Sequence, residues 1–254
     1  MRTPVPNRQP SFWRTFLLAY EDAFRVMQKM WPAVLTVMAA SVILQFGGDF
    51  VSGFIGTRLG QGVLSVLINT VMVWAIAPYL LALYRCAATG EVTPQPEALR
   101  NTAENRRFGA WLILLGFAAG IPYVFYLVAV PDLPPEQLTP ENVNAGAMLA
   151  LLAISVVVWI FTIRATTLMP MLALDPDGAS LAAALAQTKG RFWFIVGIEL
   201  VTLVPVLVAG IVVVDIVDAA APILKLPVGA AIAAVTQVVQ IAVTTRLYAR
   251  FTSA

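Results

Sequence analysis

The sequence predicts an all-α integral membrane protein, with six transmembrane helices arranged as three hairpin repeats and a cytoplasmic interfacial amphipathic helix before each hairpin. Three observations carry that expectation. Of the 254 residues, 59% are hydrophobic and only 12% are charged, against roughly 25% charged in a soluble chain. So few charges cannot clothe a water-facing surface of this size, and lipid is the natural solvent. Six apolar stretches, near 32–54, 63–84, 108–130, 145–163, 192–214 and 228–246, match the roughly 20 residues that cross a hydrocarbon layer about 30 Å thick. The cations, finally, fall on alternate connections.

Each element has its own justification. The six runs lack the alternation of barrel strands, and lipid leaves only helices or closed barrels as spanning structures. The first run is interrupted by Gly47, Gly48 and Asp49. Arg2, Arg8, Arg14, Arg25 and Lys29 precede it; Arg85, Arg100, Arg106 and Arg107 lie in the 85–107 connection; Arg164, Lys189 and Arg191 lie in 164–191; Arg246 and Arg250 lie in the tail. The opposite side has Arg58 and Lys225, and the acidic, proline-rich PDLPPEQLTPEN (131–142) has no cation. By the positive-inside rule both termini are cytoplasmic. The opening MRTPVPNRQPSFWRTF does not read as a secretory signal, because its first long apolar run begins near Ala33, after Glu21 and Asp22.

An internal repeat organises the chain. AFRVMQKMWPAVL (23–35), ALRNTAENRRFGAWLIL (98–114) and ALAQTKGRFWFIV (184–196) each pass from Ala and a large apolar residue through polar and cationic positions to an aromatic collar and a span. Each unit closes on an arginine, so that Ala23–Arg85, Ala98–Arg164 and Ala184–Arg246 are nearly equal intervals. Three such hairpins predict a pseudo-threefold arrangement about the membrane normal.

The first interfacial helix is the clearest. Trp13, Leu17, Tyr20, Phe24, Met27 and Trp31 step by helical spacing into one apolar stripe, with Arg14, Glu21, Asp22, Arg25, Gln28 and Lys29 off it. Ser11 suits its N-cap. The stripe faces lipid or packs on protein; spacing serves both. In the third copy, Asp177 or Ser180 is placed to cap a short helix running to Lys189. In the collar TKGRFW, Lys189 and Arg191 anchor span five at the anionic face, and Phe192 and Trp193 sit at headgroup level. Trp13, Phe24 and Trp31 are interface anchors of the same kind.

Polar residues inside the spans are the candidates for chemistry. Glu199 lies roughly 10 Å along span five, where a carboxylate ordinarily faces the bundle interior with a partner. Arg164 and Arg246 are possible partners. Its role is a coupling carboxylate for a proton or cation, or a structural ion pair. Asp49, Asn69, Gln237 and Gln240 are the other intramembrane polar residues, suited to interhelical hydrogen bonds worth about 0.6 kcal/mol each. Arg85, Arg164 and Arg246 recur at equivalent repeat positions; they form a ring that grips lipid phosphates, or act as three separate anchors. Gly56 with Gly60, and Gly116 with Gly120, fit small-xxx-small packing faces. Pro78, Pro122 and Pro205 predict kinks.

Several classes of function are excluded or weakened. There is no histidine and one cysteine, Cys86, so no internal disulfide and no Cys/His metal site is expected. No G-x-S-x-G, P-loop or strand-borne G-x-G-x-x-G occurs. The expectation is no enzyme, no cofactor, no metal and no nucleic-acid partner. The expected partners are membrane phospholipids, with other membrane proteins or self-association as further partners.

Residues 161–204, FTIRATTLMPMLALDPDGASLAAALAQTKGRFWFIVGIELVTLV, resemble bacterial six-span proteins of the YciC-like type and the membrane domain fused to some glycerophosphodiester phosphodiesterases. Arg164, Met169–Pro170, Leu174–Asp175–Pro176 and Thr188 through Trp193 carry the resemblance. It implies a role in envelope maintenance and membrane lipids. It transfers no catalytic residue, and the hydrolase domain of the fused members is absent from this chain. The sequence therefore leads to a non-catalytic protein that organises membrane lipids or partner proteins. The alternative is a small permease or lipid transporter that uses Glu199 as its ionisable group.

Overall fold

The computed structural model describes residues 11–52, 58–93, 102–129 and 145–252. Among them every regular element is helical: α1 (Phe12–Lys29), α2 (Trp31–Ser52), α3 (Arg58–Thr89), α4 (Ala103–Ala129), α5 (Ala145–Arg164), α6 (Leu168–Leu174), α7 (Leu181–Gln187), α8 (Phe192–Ala220) and α9 (Lys225–Thr252), with a 3₁₀ turn at Pro222–Leu224. Pro78, Pro122 and Pro205 lie inside α3, α4 and α8.

Four segments, Gly60–Thr89, Ala145–Leu174, Phe192–Ala220 and Lys225–Thr252, are long and apolar enough to cross a membrane. α2 and α4 occupy the predicted first and third spans as helices of 22 and 27 residues but are not among those four. Residues 53–54 and 130, at their predicted ends, lie outside the described residues. α5 and α8 bury very little: Leu149, Leu152 and Val157 on α5, and Val208, Ile211 and Val212 on α8, are all more than half exposed. Continuous aliphatic surface of that extent suits acyl chains and not water.

The core gathers at one end of the bundle, where α1, the last turns of α3 and α9, the first turns of α4 and α8, and α6 meet. Leu83, Phe108, Leu168, Ile195, Ile198, Ile241 and Leu247 are essentially inaccessible there. α6 corrects the sequence reading, which left 164–191 as a surface connection. Leu168 through Ala173 are all buried, and the helix plugs the space among α3, α4 and α9. The Met169–Pro170 stretch is thus core.

Two glycines mark close helix approach. A Cβ at Gly210 would stand 2.5 Å from Ile232 Cγ2, and one at Gly109 would stand 3.1 Å from the Trp74 ring. Gly116 and Gly120 depart from expectation: an added Cβ meets nothing within 4 Å at either position. Their face is open rather than packed. Gly56 lies outside the described residues. The expected second interfacial helix falls partly outside them too, and from Ala103 the chain is continuous with α4.

Candidate functional site

α1 has three faces. Ser11 caps it, its Oγ accepting from Arg14 N at 3.3 Å. Thr15, Ala19, Asp22, Ala23 and Val26 are buried against the bundle. Their small size lets the helix approach α8 and α9 closely. Trp13, Leu17, Phe24 and Trp31 are about 60% exposed, so most of the predicted stripe points outward. Tyr20 and Met27 are half-buried, and the Tyr20 hydroxyl donates to Thr202 O at 2.6 Å. Burial raises the Tyr20 phenol pKa, so the group stays a donor at neutral pH. Glu21, Arg25, Gln28 and Lys29 form the exposed polar face, with Arg25 donating to Glu21 at 3.1 Å.

Asp22 is the residue that sequence reasoning missed. It is 2% exposed and accepts both arms of the Arg246 fork, Nε to Oδ2 and a terminal nitrogen to Oδ1 at 2.8 Å. Arg25 adds a third contact at 3.3 Å. Nothing in the pattern separates Asp22 from the exposed charges beside it.

The other closing arginines also reach protein acceptors. Arg85 donates to Glu104 at 2.6 Å and to Ala173 O at 3.2 Å. Arg164 donates to Leu185 O at 2.9 Å. Each arginine therefore lies in the last turns of one helix and holds another: α3 to α4, α5 to α7, and α9 to α1. Neither Arg164 nor Arg246 pairs with Glu199, contrary to the partnership expected from their positions. Arg107 adds a related tie, donating to Pro176 O and to Ala179 O, the latter at 2.6 Å.

Glu199 is half-buried and accepts from Thr166 Oγ1 at 2.9 Å. Thr244 donates toward the Tyr84 hydroxyl at 3.5 Å. Thr167 and Thr245 are buried with hydroxyls that lack a hydrogen-bond partner among the described residues. Among the remaining intramembrane polar candidates, the side chain of Asp49 lies outside the described residues. Asp49 lies in α2 and Asn69 is exposed on α3. On α9, Gln237 is half-buried and Gln240 exposed.

The collar is a turn as well as an anchor. Ser180 caps α7, accepting from Ala183 N at 3.1 Å. Thr188 Oγ1 donates to Arg164 O at 2.8 Å. Gly190, at φ +75°, provides the left-handed residue that reverses the chain into α8. Arg191 lies over the Phe251 ring at 4.5 Å, while Lys189 is exposed and Trp193 is 78% exposed.

Among the described residues no three His, Cys, Asp or Glu side chains gather as a metal site. Comparison with protein-family models, with curated proteins and with solved structures gave no match.

Proposed function

We propose that this chain is a non-catalytic, multi-pass membrane protein that organises the lipid around it, using α1 as a lipid-facing layer riveted to the bundle. The observation that carries this reading is the division of α1 and of the turn that follows it: Asp22 and the small residues turn inward, while Trp13, Leu17 and Phe24, and Trp31 at the start of α2, turn outward. Aromatic and aliphatic side chains left exposed beside a cationic face suit the headgroup boundary of a bilayer. The proposal retains six spans, with cytoplasmic termini in a bacterial inner membrane and a role in envelope maintenance, as the cation placement and the resemblance suggest.

The arginine ties support a threefold closure of the three hairpins. The arginine ending each hairpin reaches the segment that opens the next: Arg85 to Glu104, Arg164 to Leu185, and Arg246 back to Asp22. In this reading the arginines close a protein ring, and phosphate contact is left to their exposed edges. The reading is tested by contact between α1 and acyl chains, measured as quenching of Trp13 and Trp31 by brominated phospholipids in a reconstituted bilayer.

One observation favours the second reading, a permease. Glu199 is a part-buried carboxylate inside an apolar span, with a hydroxyl and no cation as its hydrogen-bond partner. Glu199→Gln keeps an acceptor for Thr166 and removes the ionisable group. A lipid-organising protein tolerates this change, with stability within about 1 kcal/mol of wild type. A proton- or cation-coupled permease loses flux in proteoliposomes.

A further inference from the structure

Away from the buried core, the bundle opens into a cleft of about 900 Å³ between α3 and α4, with Phe161 of α5 on its rim. The two long helices are antiparallel there: Gly62 and Tyr123 stand at one end, Val73 and Trp111 at the other. The α3 wall from Val63 to Val73 is about 15 Å long at the helical rise. That is about half of the ~30 Å hydrocarbon layer, or the depth of one leaflet. The lining is mostly aliphatic and aromatic, with Asn69 and Thr70 as its polar side chains. Thr70 directs its hydroxyl to Val66 O at 2.8 Å, so it presents no unmet donor.

Gly116 and Gly120 both line this cleft, and beyond their Cα atoms there is open space. The pair therefore widens a binding surface instead of drawing two helices together. An acyl chain laid along a cleft of this size gains dispersion contacts with its wall atoms. Inside a bilayer the available filler is hydrocarbon. The acidic, proline-rich 131–142 sequence is too polar to serve.

We infer that the α3–α4 cleft is a resident site for one phospholipid acyl chain, in the leaflet opposite the end where α1 lies. Two helix walls and the Phe161 rim grip the chain more completely than the flat sides of α5 and α8, so this lipid outlasts the surrounding annular lipid. The site rests on the membrane reading above but is independent of where the α1 stripe lies.

The test uses the full chain in phosphatidylethanolamine–phosphatidylglycerol vesicles doped with phosphatidylglycerol bearing a mid-chain diazirine. The protein is extracted with mild detergent and excess unlabelled lipid, then irradiated, and the label is mapped to peptides. Retained label is expected on 62–73 and 111–123, and not on the outer faces of α5 and α8. Gly116→Leu with Gly120→Leu fills the cleft from α4, where an added Cβ meets nothing within 4 Å at either position, and Val66→Trp fills it from α3. Both should reduce retained label at least about tenfold, a difference near 1.4 kcal/mol, with helical content and elution volume unchanged. Undiminished label in both folded variants would overturn the site. So would label spread evenly over all helices, or a wild-type dimer that holds no label. Loss of Trp13 and Trp31 quenching, with cleft labelling intact, would instead count against the α1 reading alone.

Discussion

Arg246→Ala is expected to destabilise the folded protein by about 2–3 kcal/mol in detergent, read as a lowered unfolding midpoint. Asp22 is 2% exposed and depends on the Arg246 fork for two of its contacts. Removing one partner of a buried pair leaves an uncompensated charge, which typically costs about 3–5 kcal/mol. Arg246 is itself one-third exposed and Arg25 stays near Asp22, so the loss should fall at or below the low end of that range. Pairing Arg246→Leu with Asp22→Leu should recover much of it, because the double variant strands no charge. A single-variant loss below about 0.5 kcal/mol, typical of exposed pairs, would show that the tie does not hold α1.

Simultaneous Trp13→Ala, Phe24→Ala and Trp31→Ala substitution has the second large effect, on membrane contact and not on the core. All three side chains are about 60% exposed. A large aromatic side chain buries about 150–250 Å² when it leaves water. At about 25 cal/mol per Å², the exposed portions correspond to about 2–4 kcal/mol each, or roughly 7–11 kcal/mol together. Helical content in detergent should change little, since Ala19, Ala23, Val26 and the Asp22 pair remain. In bilayers, amide hydrogen exchange over 12–29 should rise sharply. Unchanged exchange in the bilayer would mean that the stripe does not contribute to holding α1 there.

How far the sequence is legible depends on the kind of signal. The helical class, with helices long and apolar enough to cross a membrane, was readable because it follows from solvent: too few charges, and apolar runs of bilayer length. The caps Ser11 and Ser180, and the start of α8 at Phe192, were readable because capping and collars are local chemistry. The orientation of α1 was not readable. A stripe of Trp, Leu and Phe reads the same to periodicity whether it meets protein or lipid, since both are apolar. The alanine face that does pack carries weak hydropathy and includes Asp22. The same ambiguity applied to Gly116 and Gly120, where small-xxx-small spacing does not distinguish a helix contact from an open cleft. The arginine partners lie far along the chain, Arg246 with Asp22 and Arg85 with Glu104, and pairing at that range leaves no local trace. Burial of α6 was hidden for a related reason: its seven residues are too few to span and too apolar to remain at a surface.

The most direct test of the central claim is depth-resolved fluorescence quenching in vesicles. Two variants retain Trp13 alone or Trp31 alone, with the other tryptophans changed to phenylalanine, and phospholipids brominated at shallow or deep acyl positions are the quenchers. A lipid-facing α1 predicts strong quenching of both residues by shallow bromines, weak quenching by deep ones, and protection from aqueous acrylamide. Quenching of both residues by acrylamide, with no response to bromine at either depth, would contradict it.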